Sequence, residues 1–193
     1  MKLLHINAEN PEKEFISYAA GEIKNGGILI YPTDTVYGLG CSIKAEDSIK
    51  KIFEIKKRSL KNPLSVAFSD LEMAKEYILL DSEEEGFIKK HINEPFTFVV
   101  KKKGNIFDII TANRNTVGIR IPNHKVVKEI IRSSGIPIIT TSANISGKKA
   151  PANVGEIDEG IKDSVDLILD SGPCRLGAPS KVIDLSTGKI LRE

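Results

Sequence analysis

Three polar loops carry the side chains whose types and spacing could do chemistry. The first, YPTDTVYGLG at 31–40, follows the apolar run ILIY. Pro32 ends that run, so the polar residues after it would sit at the carboxyl end of a strand, where α/β sheets bind ligands. These residues are Thr33, Asp34 and Thr35. Gly38 and Gly40 would permit an unusual backbone conformation. The alternative is a plain turn with local Asp and Thr hydrogen bonds.

The second loop, KKRSLKNPL at 56–64, joins a helix to a strand and concentrates positive charge. The planar guanidinium of Arg58 could grip phosphate oxygens and Lys56 could add a point charge, which together would clamp a polyanion. The helix dipole also favours cations at a helix C-terminus, so a purely structural role stays open. No Walker A sequence occurs, which excludes a P-loop as the nucleotide site.

The third loop, TTSANISGKKAPAN at 140–153, follows the run PIIT and crowds short polar groups together. Its hydroxyl and amide side chains include Thr140, Thr141, Ser142, Asn144 and Ser146. Such a loop can hold a ligand by many small contacts, or it can cap itself. No histidine lies nearby in the sequence, so a serine-hydrolase mechanism has no visible base.

Two smaller signals lie further along the chain. Arg120, inside the apolar segment GIRIP, is either a snorkelling edge residue or a ligand for a carboxylate or phosphate. Its flanking isoleucines should face the opposite side of the sheet. The segment GPCRLGAPSKV places Ser180 at the start of a strand. Cys174, in the same segment, has no apparent partner base, which argues against a nucleophile.

Hydrophobic periodicity predicts the elements that must position these loops. Asn10 as N-cap, with Pro11 at the first helical position, starts a helix that Gly26-Gly27 ends. Further helices are predicted at 45–57, 70–79, 82–92 and 124–133. Strands are predicted at 28–31, 64–68, 96–102, 116–121, 137–140, 165–170 and 181–185, with a possible edge strand at 189–192. The interleaving favours one α/β domain on a mixed sheet with flanking helices.

Composition excludes several classes of protein. A chain of 193 residues, 40% hydrophobic and 28% charged, is ordinary globular composition for about one domain. No apolar run approaches the ~18 residues of a membrane span and no secretory signal is visible, so we expect no membrane contact. Cys41 and Cys174 are too few for a disulfide scaffold, so we expect reduced thiols and a cytoplasmic location.

Charge is unevenly placed although the net charge is only +2. Residues 44–61 carry seven basic and three acidic side chains, net +4, whereas residues 70–85 carry seven acids and one lysine, net −6. The basic block could meet a phosphate-bearing partner. Two solvated helix faces are the simpler explanation.

Taken together, the three loops resemble the YrdC family. The resemblance rests on YPTDTVYGLG, on K-x-R at Lys56 and Arg58 with NPL at 62–64, and on S-x-N at Ser142 and Asn144 within TSANISG. It runs from about residue 12 to 192, so we expect a single YrdC-like domain over 1–193, similar to the short form without the extra C-terminal domain of longer relatives. The family's fold is a twisted mixed sheet with a deep basic concave face, similar to dihydroxybutanone-phosphate synthase. That likeness alone does not fix the reaction.

The resemblance implies a threonylcarbamoyl-AMP synthase. L-threonine and bicarbonate form a carbamate, which attacks the α-phosphate of ATP and releases pyrophosphate. A downstream threonylcarbamoyl transferase then modifies adenosine at position 37 of tRNAs that read ANN codons. This chemistry needs no side-chain nucleophile, only placement of two anions and stabilisation of charge. Mg²⁺ is expected chiefly on the ATP phosphates, and its protein ligands are unknown.

The resemblance also implies roles for individual residues. Its threonine contacts correspond to Thr35, Arg120, Thr140 (through its side chain or its backbone) and Ser180. Its ATP contacts correspond to Lys56, Arg58, Asn62, Thr116, Ser142, Asn144 and Arg192, of which Lys56 and Arg58 are the catalytic pair. The chain departs from the family's pattern at Ser59 (often Pro), Ala67 (His in longer relatives), Ala150 (often Ser) and Lys181 (Thr in the family's S-T-V). Ala67 bears on threonine binding, and Ala150 on one ATP contact.

Two other functions compete with this one. A basic concave face could bind double-stranded RNA or tRNA without chemistry, through Lys50, Lys51, Lys56, Arg58 and Lys61. RNA binding would not require an arginine inside an apolar strand, whereas a small-molecule pocket would. A carbamoyl-transfer enzyme of the hydrogenase-maturation type contains a related domain, but it is far longer than this chain.

Overall fold

The computed structural model describes residues 1–192, which form one 11-stranded sheet with helices on both faces. The strands are β1 Lys2–His5, β2 Leu29–Tyr31, β3 Gly38–Gly40, β4 Ser65–Ala67, β5 Ile78–Leu79, β6 Phe96–Lys102, β7 Thr116–Arg120, β8 Ile138–Ser142, β9 Leu167–Asp170, β10 Lys181–Asp184 and β11 Lys189–Arg192. The helices are α1 Lys13–Lys24, α2 Glu46–Ile55, α3 Leu71–Lys75, α4 Ser82–His91, α5 Asp108–Thr111, α6 Lys125–Ser134 and α7 Glu159–Lys162.

The sheet is mixed, as predicted. Its strand order is β1-β9-β2-β3-β8-β4-β7-β6-β10-β11, and β5 pairs with β6 off this path. Four pairs are parallel, namely β1–β9, β2–β9, β4–β7 and β6–β10. The central strands β3, β8 and β4 pair with one another in antiparallel fashion, which brings residues far apart in the sequence into lateral register.

Strand alternation divides the apolar side chains between two cores. On β9, Ile168 enters the larger core while Leu167 and Leu169 enter the smaller one. The larger core is covered by α2 to α5 and α7, and the smaller one by α1 and α6. The helices α1 and α6 bury only part of their face of the sheet. The uncovered part of that face contains the pocket described below.

Most predicted elements are confirmed, with two corrections. The helix predicted at 70–79 is wrong in its second half, because α3 ends at Lys75 and Ile78–Leu79 form β5 against β6. The predicted N-cap Asn10 is also wrong: α1 begins at Lys13, and its N-cap Glu12 makes no side-chain cap hydrogen bond. By contrast α4 is capped by Asp81, whose carboxylate accepts from the Glu84 backbone N–H in a capping box.

The structure contains several short elements that the sequence pattern does not predict. The strands β1 and β3 and the helices α5 and α7 were not predicted: β1 is mostly exposed, β3 is Gly-Leu-Gly, and α5 and α7 are too short to show a helical period. Gly38 and Gly40 lie in β3 and lack a positive φ, so they do not supply the unusual backbone conformation expected of them. Within residues 1–192 we find no helix that is both long and apolar enough to span a bilayer.

Candidate active site

The pocket lies on the part of the sheet that α1 and α6 leave uncovered, and it encloses about 120 Å³. The register of the strands explains which residues line the floor of the pocket. Thr140 on β8 pairs with Ser65 on β4, and Ser65 pairs with Gly118 on β7. Paired residues point to the same face of a sheet, so the Thr140 and Ser65 hydroxyl groups lie side by side on the pocket floor, and Gly118 beside them carries no side chain to fill it. The walls include Thr33, Thr35, Tyr37, Arg58, Thr97, Arg120, Ser142, Pro179, Ser180 and Arg192.

The three loops singled out in the sequence meet at this pocket. The Tyr37 N–H donates to the Pro151 carbonyl and the Ala143 N–H donates to the Tyr37 carbonyl, both at 2.9 Å. The Ser146 N–H donates to the Lys56 carbonyl, also at 2.9 Å. The 140–153 loop is thereby held against both the 31–40 loop and the 56–64 loop.

A left-handed turn at the end of α2 explains why the two cations of K-x-R play different parts. Lys57 has a φ of 49°, the Lys57 N–H donates to the Glu54 carbonyl, and the Arg58 N–H donates to the Phe53 carbonyl. This is the Schellman pattern of helix ends. It leaves Lys56 buried at the helix end and takes Arg58 out of the helix to the pocket wall.

Lys56 is 1% exposed and its ammonium holds the third loop together. The Lys56 Nζ donates to the Ser142 carbonyl, to the Asn144 carbonyl at 2.7 Å and to Asn144 Oδ1 at 3.2 Å. An ammonium has three N–H donors, so these three acceptors occupy all of them. Burial, together with the charge of Arg58, lowers the pKa of Lys56 to about 7.

Arg58 is oriented by main-chain carbonyls of its own loop. Its Nε donates to the Asn62 carbonyl at 3.1 Å and its Nη2 donates to the Pro63 carbonyl at 2.8 Å. The pKa of Arg58 is lowered by burial and by the nearby charge of Arg192. The pKa of Arg192 is lowered in turn by burial and by the charge of Arg120. Three guanidinium groups therefore surround one small volume, an arrangement suited to anions.

Arg120 points into the pocket with the alternation predicted for GIRIP. Ile119 enters the larger core, while the Arg120 Nη2 donates to Asp34 Oδ1 at 2.8 Å. Both partners are buried, with 3% of Asp34 and 7% of Arg120 exposed. Within residues 1–192, Asp34 is the one acidic residue that forms a salt bridge with an arginine of the pocket.

Buried hydroxyl groups shape the pocket floor. The Tyr31 hydroxyl donates to Thr140 Oγ1 at 3.0 Å, and burial raises the pKa of that phenol. The Tyr31 ring can lie here because Gly38 lacks a side chain; a Cβ there would approach Tyr31 Cε2 to 2.6 Å. Thr33 Oγ1 accepts from the Thr35 N–H at 3.1 Å, which fixes the first loop.

The structure separates the predicted site residues into two groups. Those that line the pocket are Thr35, Arg58, Arg120, Thr140, Ser142, Ser180 and Arg192. The others, Lys56, Asn62, Thr116 and Asn144, lie behind or beside it. The Asn62 carbonyl orients Arg58, and Asn144 Oδ1 accepts from the Ser142 hydroxyl at 2.6 Å. Thr116 is half-buried at the start of β7, on the same sheet face as Gly118 and Arg120.

Sequence reasoning missed three polar contributors, Ser65, Thr97 and Tyr31. Ser65 and Thr97 line the pocket, and each interrupts an apolar strand segment, LSVAF and FTFVV. A lone hydroxyl in such a run was a signal that could have found them. The departure Ala67 is fully buried in the smaller core and pairs in register with Arg120. Ala150 is also buried.

The fold and this pocket define an α/β domain whose cleft is lined by three arginines and several hydroxyl groups. A family model for the Sua5/YciO/YrdC domain, described as telomere recombination, matches residues 22–193. The chain belongs to that family, which confirms the resemblance seen in its loops.

Individual relatives agree with this assignment. A protein of Methanocaldococcus jannaschii is 35% identical over 99% of this chain and 89% of its own length. The threonylcarbamoyl-AMP synthase of Pyrococcus abyssi is 38% identical over 92% of this chain and 53% of its own length. The crystal structure of P. abyssi Sua5 complexed with L-threonine matches with a TM-score of 0.91 and 34% identity, over 96% of this chain and 55% of that one. The chain thus spans about half the length of the P. abyssi protein.

Proposed function

We propose that this chain is a threonylcarbamoyl-AMP synthase. A carbamate oxygen of N-carboxylated L-threonine attacks the α-phosphorus of ATP, the bond from that phosphorus to its bridging oxygen breaks, and pyrophosphate leaves. The observation that carries the proposal is the convergence of Arg58, Arg120 and Arg192 on one hydroxyl-lined pocket. Both reactants are anions, and oriented guanidinium groups stabilise the charge that develops during phosphoryl transfer.

The pocket residues are divided between the two reactants as the family resemblance implies. We assign Thr35, Arg120, Thr140 and Ser180 to threonine. We assign Arg58, Ser142 and Arg192 to ATP, and the part of the wall that they form is called the ATP end. Lys56 supports the ATP end through the Ser142–Asn144 backbone, since its N–H donors are engaged there. Direct contact of Lys56, Asn62, Thr116 or Asn144 with ATP stays a prediction of the family resemblance.

Mg²⁺ is proposed only as a companion of the ATP phosphates. In the part of the chain that the structure describes, no cluster of three or more His, Cys, Asp or Glu side chains could hold a metal ion. Asp34 is engaged by Arg120. The pocket residues therefore do not themselves fit a magnesium site, and we route no step through the ion.

The product would pass to a downstream threonylcarbamoyl transferase acting on tRNA. We place the reaction in the cytoplasm because ATP is its proposed co-substrate and tRNA is the acceptor that the downstream transferase modifies. Direct RNA binding is not needed for it. Lys50, one of the cations considered for RNA binding, pairs with Glu46 at 2.9 Å on the solvent face of α2, as expected of a solvated helix.

The proposal is tested by pyrophosphate release from ATP in the presence of Mg²⁺. We expect release only when L-threonine and bicarbonate are both present. L-serine should be a poorer substrate by about 10–200-fold, because loss of one methyl from an apolar contact costs about 1–3 kcal/mol. A panel of all twenty amino acids establishes the specificity.

A matched control separates the enzyme from an RNA-binding module. Lys61→Ala removes an exposed cation of the same loop and should leave pyrophosphate release unchanged. If threonine supports no release, or several unrelated amino acids support it equally, the proposed reaction is wrong. Strong RNA binding without any turnover would favour the RNA-binding module instead.

A further inference from the structure

We propose that Asp34 is the residue that positions Arg120 for the amino-acid substrate. This assignment rests on the proposed function. Asp34 itself does not line the pocket, so it would act through the guanidinium and not on the substrate.

The guanidinium of Arg120 is held on one side only. It has five N–H donors, and the acceptor it finds among residues 1–192 is Asp34 Oδ1, at 2.8 Å from Nη2. No guanidinium nitrogen of Arg120 is among the buried polar atoms that lack a partner. Its other N–H groups therefore remain open to the pocket, where they can take a carboxylate in a two-point contact.

The main chain around Asp34 is anchored by contacts within its own turn and to a second loop. Its carbonyl accepts from the Leu176 N–H at 3.2 Å, which ties it to the loop before β10. The Thr33 hydroxyl accepts from the Thr35 N–H at 3.1 Å and the Val36 N–H at 3.3 Å, which fixes the turn around it. These bonds fix the main chain from which the Asp34 carboxylate projects, so the carboxylate meets the Arg120 guanidinium from one defined direction.

The charge of the pocket makes this orientation matter. Without Asp34, the guanidinium of Arg120 would face Arg192, Arg58 and the substrate phosphates with no fixed acid to hold it. The guanidinium would then be free to turn towards the phosphates. The carboxylate of the amino-acid substrate would in that case lose the group that binds it. Asp34 thus holds the Arg120 guanidinium towards the amino-acid carboxylate. Arg58 and Arg192 then remain available to bind the ATP phosphates.

The experiment is a double-mutant cycle on wild type, Asp34→Asn, Arg120→Ala and the double variant. Asp34→Asn keeps an oxygen acceptor of the same shape but loses the charge. We expect the KM for L-threonine to rise about tenfold, because a charge-assisted hydrogen bond is about twice as strong as a neutral one. The KM for ATP should change less than about twofold, since the other arginines are untouched.

The cycle distinguishes positioning from simple structural support. In the Arg120→Ala background, Asp34→Asn should have no further effect on the KM for threonine, because the guanidinium through which Asp34 acts is absent. Arg120→Ala alone should be the less stable single variant, since it leaves a buried carboxylate unpaired, and Asp34→Asn should restore stability in the double variant. The double variant therefore keeps the cycle measurable even where Arg120→Ala folds poorly.

Asp70→Ala is the matched control for stability. Asp70 caps α3 through the Met73 N–H at 2.9 Å, and its loss should lower stability by about 1 kcal/mol without changing either KM. An Asp34→Asn enzyme with a lowered melting temperature and an unchanged KM for threonine would overturn the positioning role, as would additive effects in the cycle. Absence of threonine-dependent turnover in the wild type would instead defeat the proposed function, and this assignment with it.

Discussion

Thr97 and Ser180 share a hydrogen bond of 2.8 Å between their hydroxyl oxygens, although 83 positions separate them. The bond lies where β6 and β10 begin their parallel pairing, and Arg192 of β11 closes over it by donating to the Ser180 carbonyl at 2.7 Å. The strand β11 therefore contributes to the wall of the pocket. Ser180 and Arg192 reach the site because β6, β10 and β11 pair side by side.

Arg58→Ala should lower kcat/KM for pyrophosphate formation by about 10²–10³, as loss of one oriented donor does. Arg58→Lys should recover only part of the activity, because an ammonium lacks the planar fork that holds both the loop carbonyls and a phosphate. Steady-state kinetics with saturating threonine and bicarbonate measure the effect. Wild-type activity in Arg58→Ala, with only a slightly lower melting temperature, would mean that Arg58 is merely a favourable helix-end charge.

Lys56 should make stability depend on pH in a defined direction. The folded lysine loses its proton at about pH 7, whereas the unfolded lysine keeps it to about pH 10.4. Between these values the unfolded state binds more protons, so this residue's contribution to the free energy of unfolding should rise with pH. Urea unfolding of wild type and Lys56→Met at several pH values isolates it. A difference between the two proteins that stays constant from pH 7 to about pH 10 would contradict the assignment.

Gly40 and Gly118 should respond differently to alanine. A Cβ at Gly40 would lie 2.0 Å from the Ile139 carbonyl oxygen, which is main chain and cannot move away, so Gly40→Ala should destabilise by at least about 3 kcal/mol. A Cβ at Gly118 would meet Ser65 Oγ at 2.8 Å, the end of a side chain that can rotate. Gly118→Ala should fold and lose activity because its Cβ would displace Ser65 and Thr97, which line the pocket. Thermal unfolding and pyrophosphate release, measured on both variants, separate the two effects, and equal stability loss would refute this distinction.

Both cysteines should be free and dispensable. The structure has no disulfide among the residues described, and burial raises the pKa of Cys41 to about 12 and also raises that of Cys174. Thiol reagents act on the thiolate, so both side chains should react slowly in the folded protein and as two thiols after denaturation. The double variant Cys41→Ser/Cys174→Ser should keep its activity. Stoichiometric inactivation traced to Cys174, matched by a dead Cys174→Ser, would reverse this conclusion.

Local patterns predicted the elements whose signal lies within a few residues. The strand at 96–102 and the edge strand at 189–192 agree with the structure at both ends, and the αL glycine after α1 was expected. The predictions were wrong where pairing with a distant segment of the chain, and not the local sequence, determines the structure. Ile78 and Leu79 continue a helical pattern, yet they pair with β6 because that strand offers an unpaired edge there.

The motifs of the sequence determined the family and the loops that line the pocket, because residue types and spacing are local properties that the chain preserves when it folds. Only the tertiary structure decided what each polar group faces. The K-x-R spacing does not reveal that Lys56 turns inward to Asn144 while Arg58 turns to the pocket; a left-handed residue between them does that. The same holds for Asp34 and Arg120, whose 2.8 Å contact joins positions 86 apart. Pairing of that kind depends on strand order and register, which arise from long-range burial and hydrogen bonding and not from any local pattern.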